Sequence, residues 1–335
     1  MNEGILSAIG DTPLIRLDKI FPDNSFRLFA KLEGFNPGGS IKDRPAINII
    51  RHGMRTGQIN ENTTIIESSS GNMGIGLAQI CSYLGLRFIC VVDVKTTKQN
   101  IRLLETYGAE VDIIQTPDLH TREYLPARIE RVRELQRIIK NSFCPNQYSN
   151  EGNSQAHHQT MREIVTALDG EVDYLFCATS TCGTMRGCVE YVRQNNLATK
   201  VYAIDAIGSV IFGSRKAKRL IPGHGAAVTP QLFQSDLADK FIHVSDLECV
   251  IGCRRLVKTE SILAGGSSGA VLMAVEQIRE QIPYGSTCAM IFPDRGERYL
   301  DTIYSDAWVS EHFGDVAHLW ELTEDEHESL ALMAG

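Results

Sequence analysis

The sequence predicts an α/β fold with two doubly wound domains, and three observations support this prediction. Short apolar runs rich in β-branched residues alternate with longer runs of helical spacing along most of the chain. The chain has 335 residues, 43% of them apolar, which is enough for two hydrophobic cores of ordinary size. An irregular, charged stretch at 115–150 separates a first α/β stretch from a second. Each stretch should form a parallel sheet with helices on its faces.

The first stretch predicts a helical start within 1–20 and a short extended segment at 12–17, followed by a βαβαβ unit. Residues 63–67, Thr-Thr-Ile-Ile-Glu, are typical of a strand because β-branched side chains dominate them. The predicted strands are 27–32, 63–67, 88–92 and 110–114, and the predicted helices are 46–57, 75–84 and 98–107. Strands joined through helices in this way pair in parallel.

A charged amphipathic helix at 125–140 precedes the second stretch, and most of its arginines should face solvent. The elements predicted after it are a helix at 155–168, strands at 172–178 and 200–205, and a last apolar strand within 288–294. The pair His157 and His158 is interpreted as polar helix surface.

The composition excludes several classes of function. A net charge of −8 provides no basic surface for nucleic acid. No apolar run approaches the roughly 20 residues that a membrane helix needs, and no secretion signal is evident, so we expect a cytoplasmic protein. Nine cysteines scattered through apolar segments indicate reduced, buried thiols. Cys249 and Cys253 have no second ligand pair nearby, so no metal site is predicted.

Three polar loops lie between predicted strands and helices. Lys42 follows a Pro-Gly-Gly-Ser turn in the loop 36–44 and precedes a helical run. There the helix dipole and partial burial would lower its pKa, as a nucleophilic lysine requires, whereas the alternative is a solvated surface lysine. The loops Ser-Ser-Ser-Gly-Asn-Met-Gly at 68–74 and Ala-Gly-Gly-Ser-Ser-Gly at 264–269 should lie at the ligand-binding edge of a parallel sheet.

Together with Lys42, these loops resemble the cysteine synthase family, the fold-type II enzymes that depend on pyridoxal phosphate (PLP). The resemblance runs from Ile-Gly-Asp-Thr-Pro-Leu-Ile-Arg-Leu at 9–17 to Gly-Glu-Arg-Tyr-Leu at 296–300. It implies a fold like that of the tryptophan synthase β subunit, with the cofactor between two domains, and a homodimer.

The resemblance also implies domain boundaries. A larger PLP-binding domain would comprise 1–40 and 146–320, and a smaller, mobile substrate-binding domain would comprise 41–145. Residues 321–335 are predicted to form an acidic, frayed tail.

The resemblance assigns a role toward PLP to each candidate residue. Lys42 would form the covalent link to the cofactor and act as general base, and Asn72 would donate to the ring hydroxyl. Ser267 would meet the ring nitrogen, where a neutral hydroxyl leaves the ring a weaker electron sink and favours loss of a β-substituent.

The cofactor's phosphate is expected at a strand end that opens a helix. Backbone N–H groups, hydroxyls and the helix dipole there favour a dianion. The residues matched to this role are Ser180, Thr181, Cys182, Gly183 and Thr184, of which Ser180 and Cys182 replace the family's usual glycines. Gly223 and Gly225 match a family loop that passes close to the cofactor.

The loop 68–74 is expected to hold the carboxylate of an amino-acid substrate. The residues matched to this role are Ser69, Ser70, Asn72 and Met73, the last through its backbone amide. The alternative for the whole loop is a helix N-cap.

The runs 205–213, 293–301 and 304–306 resemble a subgroup that makes N-(2-amino-2-carboxyethyl)-L-glutamate in siderophore and 2,3-diaminopropionate biosynthesis. This resemblance implies β-replacement through an aminoacrylate, with O-phospho-L-serine as donor, phosphate as leaving group and the α-amine of L-glutamate as nucleophile. Arg128, Tyr148 and Ser180 match positions that would face the substrate.

Two alternatives stay open. A cysteine synthase would use sulfide with O-acetyl- or O-phosphoserine and needs no second carboxylate site. A catalytically silent PLP-fold partner protein is disfavoured because Lys42, Asn72 and Ser267 are all present.

Overall fold

The structure is a computed structural model that describes residues 4–22 and 25–321. The strands are β1 (Leu14–Arg16), β2 (Arg27–Leu32), β3 (Thr64–Ser68), β4 (Phe88–Asp93), β5 (Glu110–Ile114), β6 (Ser142–Phe143), β7 (Tyr174–Ala178), β8 (Lys200–Ala206), β9 (Lys240–Val244) and β10 (Thr287–Phe292). The helices are α1 (Asp43–Arg55), α2 (Asn72–Leu84), α3 (Lys98–Thr106), α4 (Tyr124–Ile138), α5 (Glu151–Ala167), α6 (Gly183–Gln194), α7 (Asp246–Glu260), α8 (Gly266–Ile278) and α9 (Asp306–Phe313). The predicted acidic tail lies outside the described residues from position 322 onward.

The prediction of an α/β fold with parallel sheets is confirmed. A six-stranded sheet has the order β1-β2-β10-β7-β8-β9, and a four-stranded sheet has the order β5-β4-β3-β6. All strand pairs are parallel except β1 with β2. The carboxyl ends of neighbouring strands therefore meet at one edge of each sheet, where loops that bind ligands are usually found.

The four-stranded sheet is covered on both faces because its central strands are apolar on both sides. Ile65 packs into a core formed with α1 and α2, while its neighbour Ile66 packs on the opposite face against Val132 and Leu135 of α4. This alternation follows from the two-residue period of a strand. It explains why the two consecutive residues Ile65 and Ile66 are both apolar.

The six-stranded sheet is organised in the same way. Phe176 belongs to the core under α7 and α8, and Leu175 and Cys177 belong to the core under α5 and α6. All nine cysteines are free thiols, eight of them buried and Cys144 half-buried. In the part of the chain that the structure describes, no helix is both long and apolar enough to cross a membrane.

Several local expectations differ from the structure. The helical start is only a short 3₁₀ helix at Gly4–Ala8. Helix α5 begins at Glu151 rather than 155, because the Asn150 side chain accepts a hydrogen bond from the Gly152 N–H at 2.9 Å and caps the helix. The surface assignment is wrong for His157, which has no exposed area, and holds only for the half-exposed His158.

Candidate active site

The loop that carries Lys42 is attached to the loop after β10. Ser40 and Asp294 form an isolated antiparallel bridge, and the Ile41 N–H donates to the Pro293 carbonyl at 2.7 Å. Lys42 is the N-cap residue of α1 and is half-buried. Burial lowers the pKa of its amine from 10.5 to about 8, although the nearby Asp294 acts in the opposite direction. At neutral pH part of this amine population is neutral and able to act as a nucleophile or base.

The two residues after Lys42 are buried and charged, and they fix the first turn of α1. Arg44 donates to both carboxylate oxygens of Glu33, at 2.6 and 2.8 Å, and to both of Glu163, at 2.7 Å each. Lys31 Nζ lies 2.6 Å from Glu163 Oε2, so two cations and two anions balance in this network. Asp43 accepts from the Gly38 N–H at 2.5 Å. Lys42 is therefore held on a rigid support.

Asn72, the first residue of α2, has its side-chain amide orientation fixed by two neighbours. Its Nδ2 donates to Asp294 Oδ2 at 2.8 Å, and its Oδ1 accepts from the Arg298 guanidinium. Tyr299 also donates to Asp294 Oδ2, at 2.5 Å. Because Nδ2 carries two N–H groups, one remains available to a ligand. Asp294, Arg298 and Tyr299 were not predicted as site residues, although all three lie in the run 293–301.

Helix α8 begins against the same carboxylate. Gly265 precedes this helix, and a Cβ atom there would clash with Asp294 Oδ1. Glycine is therefore required at position 265 for the close approach of the chain to Asp294 at the start of α8, whose first turn carries the buried Ser267. Burial raises the pKa of Asp294. Asp294 thus links Lys42, Asn72 and the start of α8.

The loop 180–184 connects β7 to the N-terminus of α6. Cys182 is the N-cap residue of α6 and has a left-handed backbone conformation, with φ of 63°. Burial raises the pKa of its thiol to about 12, so the thiol is protonated at neutral pH. The first N–H groups of α6 have no partners within the helix and, together with the loop hydroxyls, could hold a phosphate.

Gly225 lies beside this loop. Its N–H donates to the Thr179 carbonyl at 2.7 Å, and its φ of 69° is left-handed. A Cβ at this position would approach Ser209 Cβ and Arg219 Nη1 to 2.8 Å. The position therefore requires glycine for both its conformation and its packing. Gly223 is also left-handed, but it has open space around it.

The side chains of the loop 68–74 are mostly used within the loop itself. Ser69 Oγ accepts from the Gly74 N–H at 2.9 Å, which supports the helix-capping interpretation for this residue. The Ser70 carbonyl accepts from Asn100 Nδ2 at 3.0 Å, and the Met73 side chain is buried in the core of the four-stranded sheet. Only the backbone amides at the start of α2 and the half-buried Ser70 and Asn72 side chains could reach a substrate carboxylate.

Arg128 is buried, unlike the solvent-facing arginines of α4. Its Nε lies 3.4 Å from Asp93 Oδ2, but neither Nε nor Nη1 forms a hydrogen bond. Its charge acts on the half-buried Tyr148 and on Glu67, whose pKa is raised to about 7 by burial. Burying N–H groups of a guanidinium without hydrogen-bond acceptors is costly, so these groups of Arg128 could bind an anionic ligand.

These donors fit PLP. The chain provides an amine with a lowered pKa, a fixed amide N–H, a serine hydroxyl and a helix N-terminus lined with hydroxyls, which are the groups that this cofactor requires. Cys182 and Asp294 both act electrostatically on Lys42, so the phosphate loop and the Asn72 region are both close to the amine. The described residues include no group of three or more His, Cys, Asp or Glu side chains that could hold a metal ion.

Comparison with known proteins agrees with this donor set. The family model for pyridoxal-phosphate-dependent enzymes matches residues 5–294. An O-acetylserine-dependent cystathionine β-synthase from Helicobacter pylori is 32% identical, with a TM-score of 0.82 over 90% of this chain and 98% of that chain. A cysteine synthase from Entamoeba histolytica is 30% identical, with a TM-score of 0.83 over 99% and 95% of the two chains. An O-ureido-L-serine synthase is 26% identical, with a TM-score of 0.84 over 99% and 98%. The chain therefore belongs to the pyridoxal-phosphate-dependent enzymes, within the cysteine synthase-like group that carries out β-replacement.

Proposed function

We propose that this enzyme joins O-phospho-L-serine to L-glutamate, giving N-(2-amino-2-carboxyethyl)-L-glutamate and phosphate for 2,3-diaminopropionate or siderophore biosynthesis. The observation that carries the proposal is the buried Arg128 guanidinium, with two N–H-bearing nitrogens that form no hydrogen bond. Besides its ion pair with Asp93, this guanidinium could donate hydrogen bonds to the carboxylates of a second substrate, whereas sulfide offers no carboxylate to accept them.

The residues of this chain divide the work of binding and proton transfer. Bound PLP supplies an electron-withdrawing ring that acidifies the α-carbon of the serine substrate. Lys42 accepts the α-proton and later returns it, since its lowered pKa keeps the neutral and charged forms close in energy. The amides at the start of α2 hold the substrate carboxylate, and the loop 180–184 holds the cofactor's phosphate.

The exchange at the β-carbon breaks a C–O bond and forms a C–N bond. Phosphate leaves with the electron pair of the C–O bond and takes up one proton. The glutamate amine loses one proton as it bonds to the β-carbon, so the overall exchange is balanced. Arg128 and Tyr148 bind the glutamate carboxylates and orient the amine. The half-buried Ser180, the first residue of the phosphate loop, contacts the substrate. Closure of the smaller domain over the site would exclude water, which otherwise competes with glutamate as nucleophile.

The relatives support the donor half of this proposal. One of them is an O-acetylserine-dependent cystathionine β-synthase and another is an O-ureido-L-serine synthase. Enzymes of this fold therefore act on or produce serine derivatives with a substituent on the β-oxygen. The runner-up function is that of a cysteine synthase, and the 30% identity to the Entamoeba histolytica enzyme favours it. The two functions differ in whether glutamate or sulfide is the acceptor.

A single absorbance experiment separates the two functions. The purified protein with PLP is mixed with O-phospho-L-serine, and the visible spectrum is followed as L-glutamate or sulfide is added. We expect a new band after the donor that disappears with glutamate and not with sulfide alone. If the band disappears with sulfide and not with glutamate, the protein is a cysteine synthase. If the protein binds no PLP, the alternative of a catalytically silent partner protein is favoured.

The role of Arg128 is tested by substitution. Arg128→Met should raise the KM for glutamate by roughly tenfold to a hundredfold, because a charge-assisted hydrogen bond contributes about 1.5–3 kcal/mol, and should change the KM for O-phospho-L-serine much less. Arg133→Met is the matched control, since Arg133 lies on the same helix, is mostly exposed and pairs with the half-exposed Glu130. Equal loss for both substrates would contradict a glutamate-binding role.

We further propose a homodimer, in keeping with the family resemblance. Light scattering of the purified, PLP-loaded protein would give twice the 37.1 kDa mass of the chain. A monomer with full activity would refute this proposal and leave the proposed chemistry intact.

A further inference from the structure

Helices α5 and α6 cross at very close range beside the proposed phosphate loop. Gly183 and Gly187, one turn apart on α6, face α5. A Cβ at Gly183 would clash with the Asn153 side chain, and one at Gly187 would clash with the Ser154 carbonyl. The two glycines therefore let α5 press two polar side chains, Asn153 and His157, against the first turn of α6.

Asn153 acts as a hydrogen-bond donor to Thr181. It has no exposed surface, and its Nδ2 donates to the Gln147 carbonyl at 2.7 Å and to Thr181 Oγ1 at 3.2 Å. The Gln147 carbonyl can only accept, which fixes the orientation of the amide. The Gly183 N–H also points at Thr181 Oγ1, at 3.4 Å. With both lone pairs of its hydroxyl oxygen engaged, Thr181 keeps its own proton for another acceptor.

His157 makes the equivalent contact to Thr184, one turn further along α5. It also has no exposed surface, and its Nδ1 lies 3.1 Å from Thr160 Oγ1 while its Nε2 lies 3.3 Å from Thr184 Oγ1. Burial, with the positive charges of Lys42 and Arg44, lowers the pKa of this ring well below its usual value. A neutral imidazole carries one N–H, so it donates to one threonine and accepts from the other.

We propose that His157 carries its proton on Nε2 and that His157 and Asn153 are positioning residues for the phosphate loop. Each donates to a threonine hydroxyl, so that Thr181 and Thr184 are left to donate their own protons to the cofactor's phosphate. Thr160 completes the chain by donating to His157 Nδ1. The inference rests on the proposed phosphate-binding role of the loop 180–184.

The direction of these hydrogen bonds matters because the cofactor's phosphate can only accept hydrogen bonds. A phosphate dianion offers only lone pairs, so a hydroxyl that had given its proton to His157 would present a lone pair to it and weaken binding. Setting the direction of each hydrogen bond in the dry interior removes that competing arrangement before the cofactor arrives.

The tautomer is directly measurable in the unmodified PLP-loaded protein. Nitrogen-15 NMR of histidine-labelled protein, with His157 assigned by the loss of its signals in His157→Gln, distinguishes a protonated Nε2 from a protonated Nδ1. We expect the proton on Nε2. A proton on Nδ1 would overturn the inference whatever the behaviour of any variant.

Substitutions test the consequence for the cofactor, measured as the PLP retained during dialysis. His157→Gln can place an N–H near the Nε2 position and should keep PLP affinity within about threefold, whereas His157→Asn, which is too short to reach Thr184, should lose roughly tenfold or more. His158→Gln is the matched control, because His158 is half-exposed on the same helix and pairs with Glu190. Thermal midpoints report whether each variant is folded.

Thr184→Val separates failure of this inference from failure of the proposed phosphate site. If Thr184→Val weakens PLP binding and His157→Asn does not, the loop binds phosphate and the positioning role of His157 is wrong. If Thr184→Val leaves PLP affinity unchanged, the phosphate role itself fails, and the inference fails with it. We expect the double variant, with both His157→Asn and Thr184→Val, to bind PLP no more weakly than Thr184→Val alone. Each substitution acts on the same hydrogen bond, the one from the Thr184 hydroxyl to the cofactor's phosphate.

Discussion

The reactivity of Lys42 comes from where its amine is held. The residue caps α1 in a half-buried loop, and desolvation favours the neutral amine more than the neighbouring Asp294 favours the charged one. Only a neutral amine can attack the cofactor's aldehyde. We therefore predict that the rate of covalent PLP attachment to the cofactor-free protein rises with pH and levels off above about 8. Stopped-flow absorbance across a pH series measures this rate.

The matching variant removes the neutral amine altogether. Lys42→Arg retains the positive charge, but its guanidinium stays protonated throughout, so no covalent attachment and no visible absorbance band should develop. A band of normal intensity in this variant would refute the role of Lys42. A rate that continued to rise up to the ordinary lysine value of 10.5 would show that burial does not control the amine.

At the level of single residues, the sequence shows some parts of the site and hides others. Lys42, Asn72 and Ser267 were predicted as site residues because glycine and serine cluster around them at predicted strand ends and because these loops resemble the family's motifs. His157 and Asn153 were not predicted, because single polar residues on a mostly polar helix form no recognisable sequence pattern. A signal was nevertheless present. Asn153 and His157 have the same four-residue spacing as Gly183 and Gly187, and the contact between these two helical rows needs the tertiary structure to become visible.

Among the elements, α1 depends most on a buried charge network. Glu163 of α5 accepts from Arg44 and pairs with Lys31, and all three side chains are at most 9% exposed. We predict that Glu163→Gln lowers the free energy of unfolding at neutral pH by about 3–5 kcal/mol, because it leaves a buried cation without its counter-charge. Glu171→Gln is the control, since the exposed Glu171–Arg27 pair should contribute less than about 1 kcal/mol. Urea unfolding of both variants gives the comparison.

The same network predicts a pH dependence. Burial alone would raise the pKa of Glu163, but the hydrogen bonds and charge of Arg44 outweigh it and lower the pKa to about 2. A carboxylate with a lowered folded-state pKa stabilises the protein fully above its unfolded value of about 4.3 and loses that contribution as pH falls toward the folded value. The difference in unfolding free energy between wild type and Glu163→Gln should therefore narrow as pH falls from about 4 to about 2. A difference that stays constant over this range would contradict the assignment.

The elements themselves were predictable where apolar periodicity is strong. The buried strands β3 and β4 stand out as apolar runs, and their helices follow at regular intervals. The starts of α1 and α5 were placed too late, since the capping residues Lys42 and Asn150 lie outside the apolar pattern. Strand β6, with only two residues, carries too little pattern to predict.

At the scale of the whole molecule, the two sheets are joined unevenly. Helix α1 is tied to the six-stranded sheet by the Arg44 network and to α5 by a hydrogen bond from Asn48 Nδ2 to the Gly152 carbonyl at 2.8 Å. The exposed Lys216–Glu123 pair, at 2.9 Å, contributes little to holding the sheets together. We propose that α1 stays with the six-stranded sheet when the smaller domain moves, although its sequence falls within 41–145.

This uneven attachment predicts where the molecule tightens around its substrate. Adding O-phospho-L-serine to the PLP-loaded protein should slow amide hydrogen exchange at the start of α2 and in the loop 115–124, because closure brings both against the rest of the site. The amides of α1 should be unaffected, since their support is already rigid. Exchange followed by mass spectrometry, with L-alanine as a ligand that lacks a leaving group, tests this pattern. If hydrogen exchange in α1 slows to the same extent, α1 moves with the smaller domain and the hinge of that motion lies before Lys42. If exchange slows nowhere, the site is already closed before substrate binds.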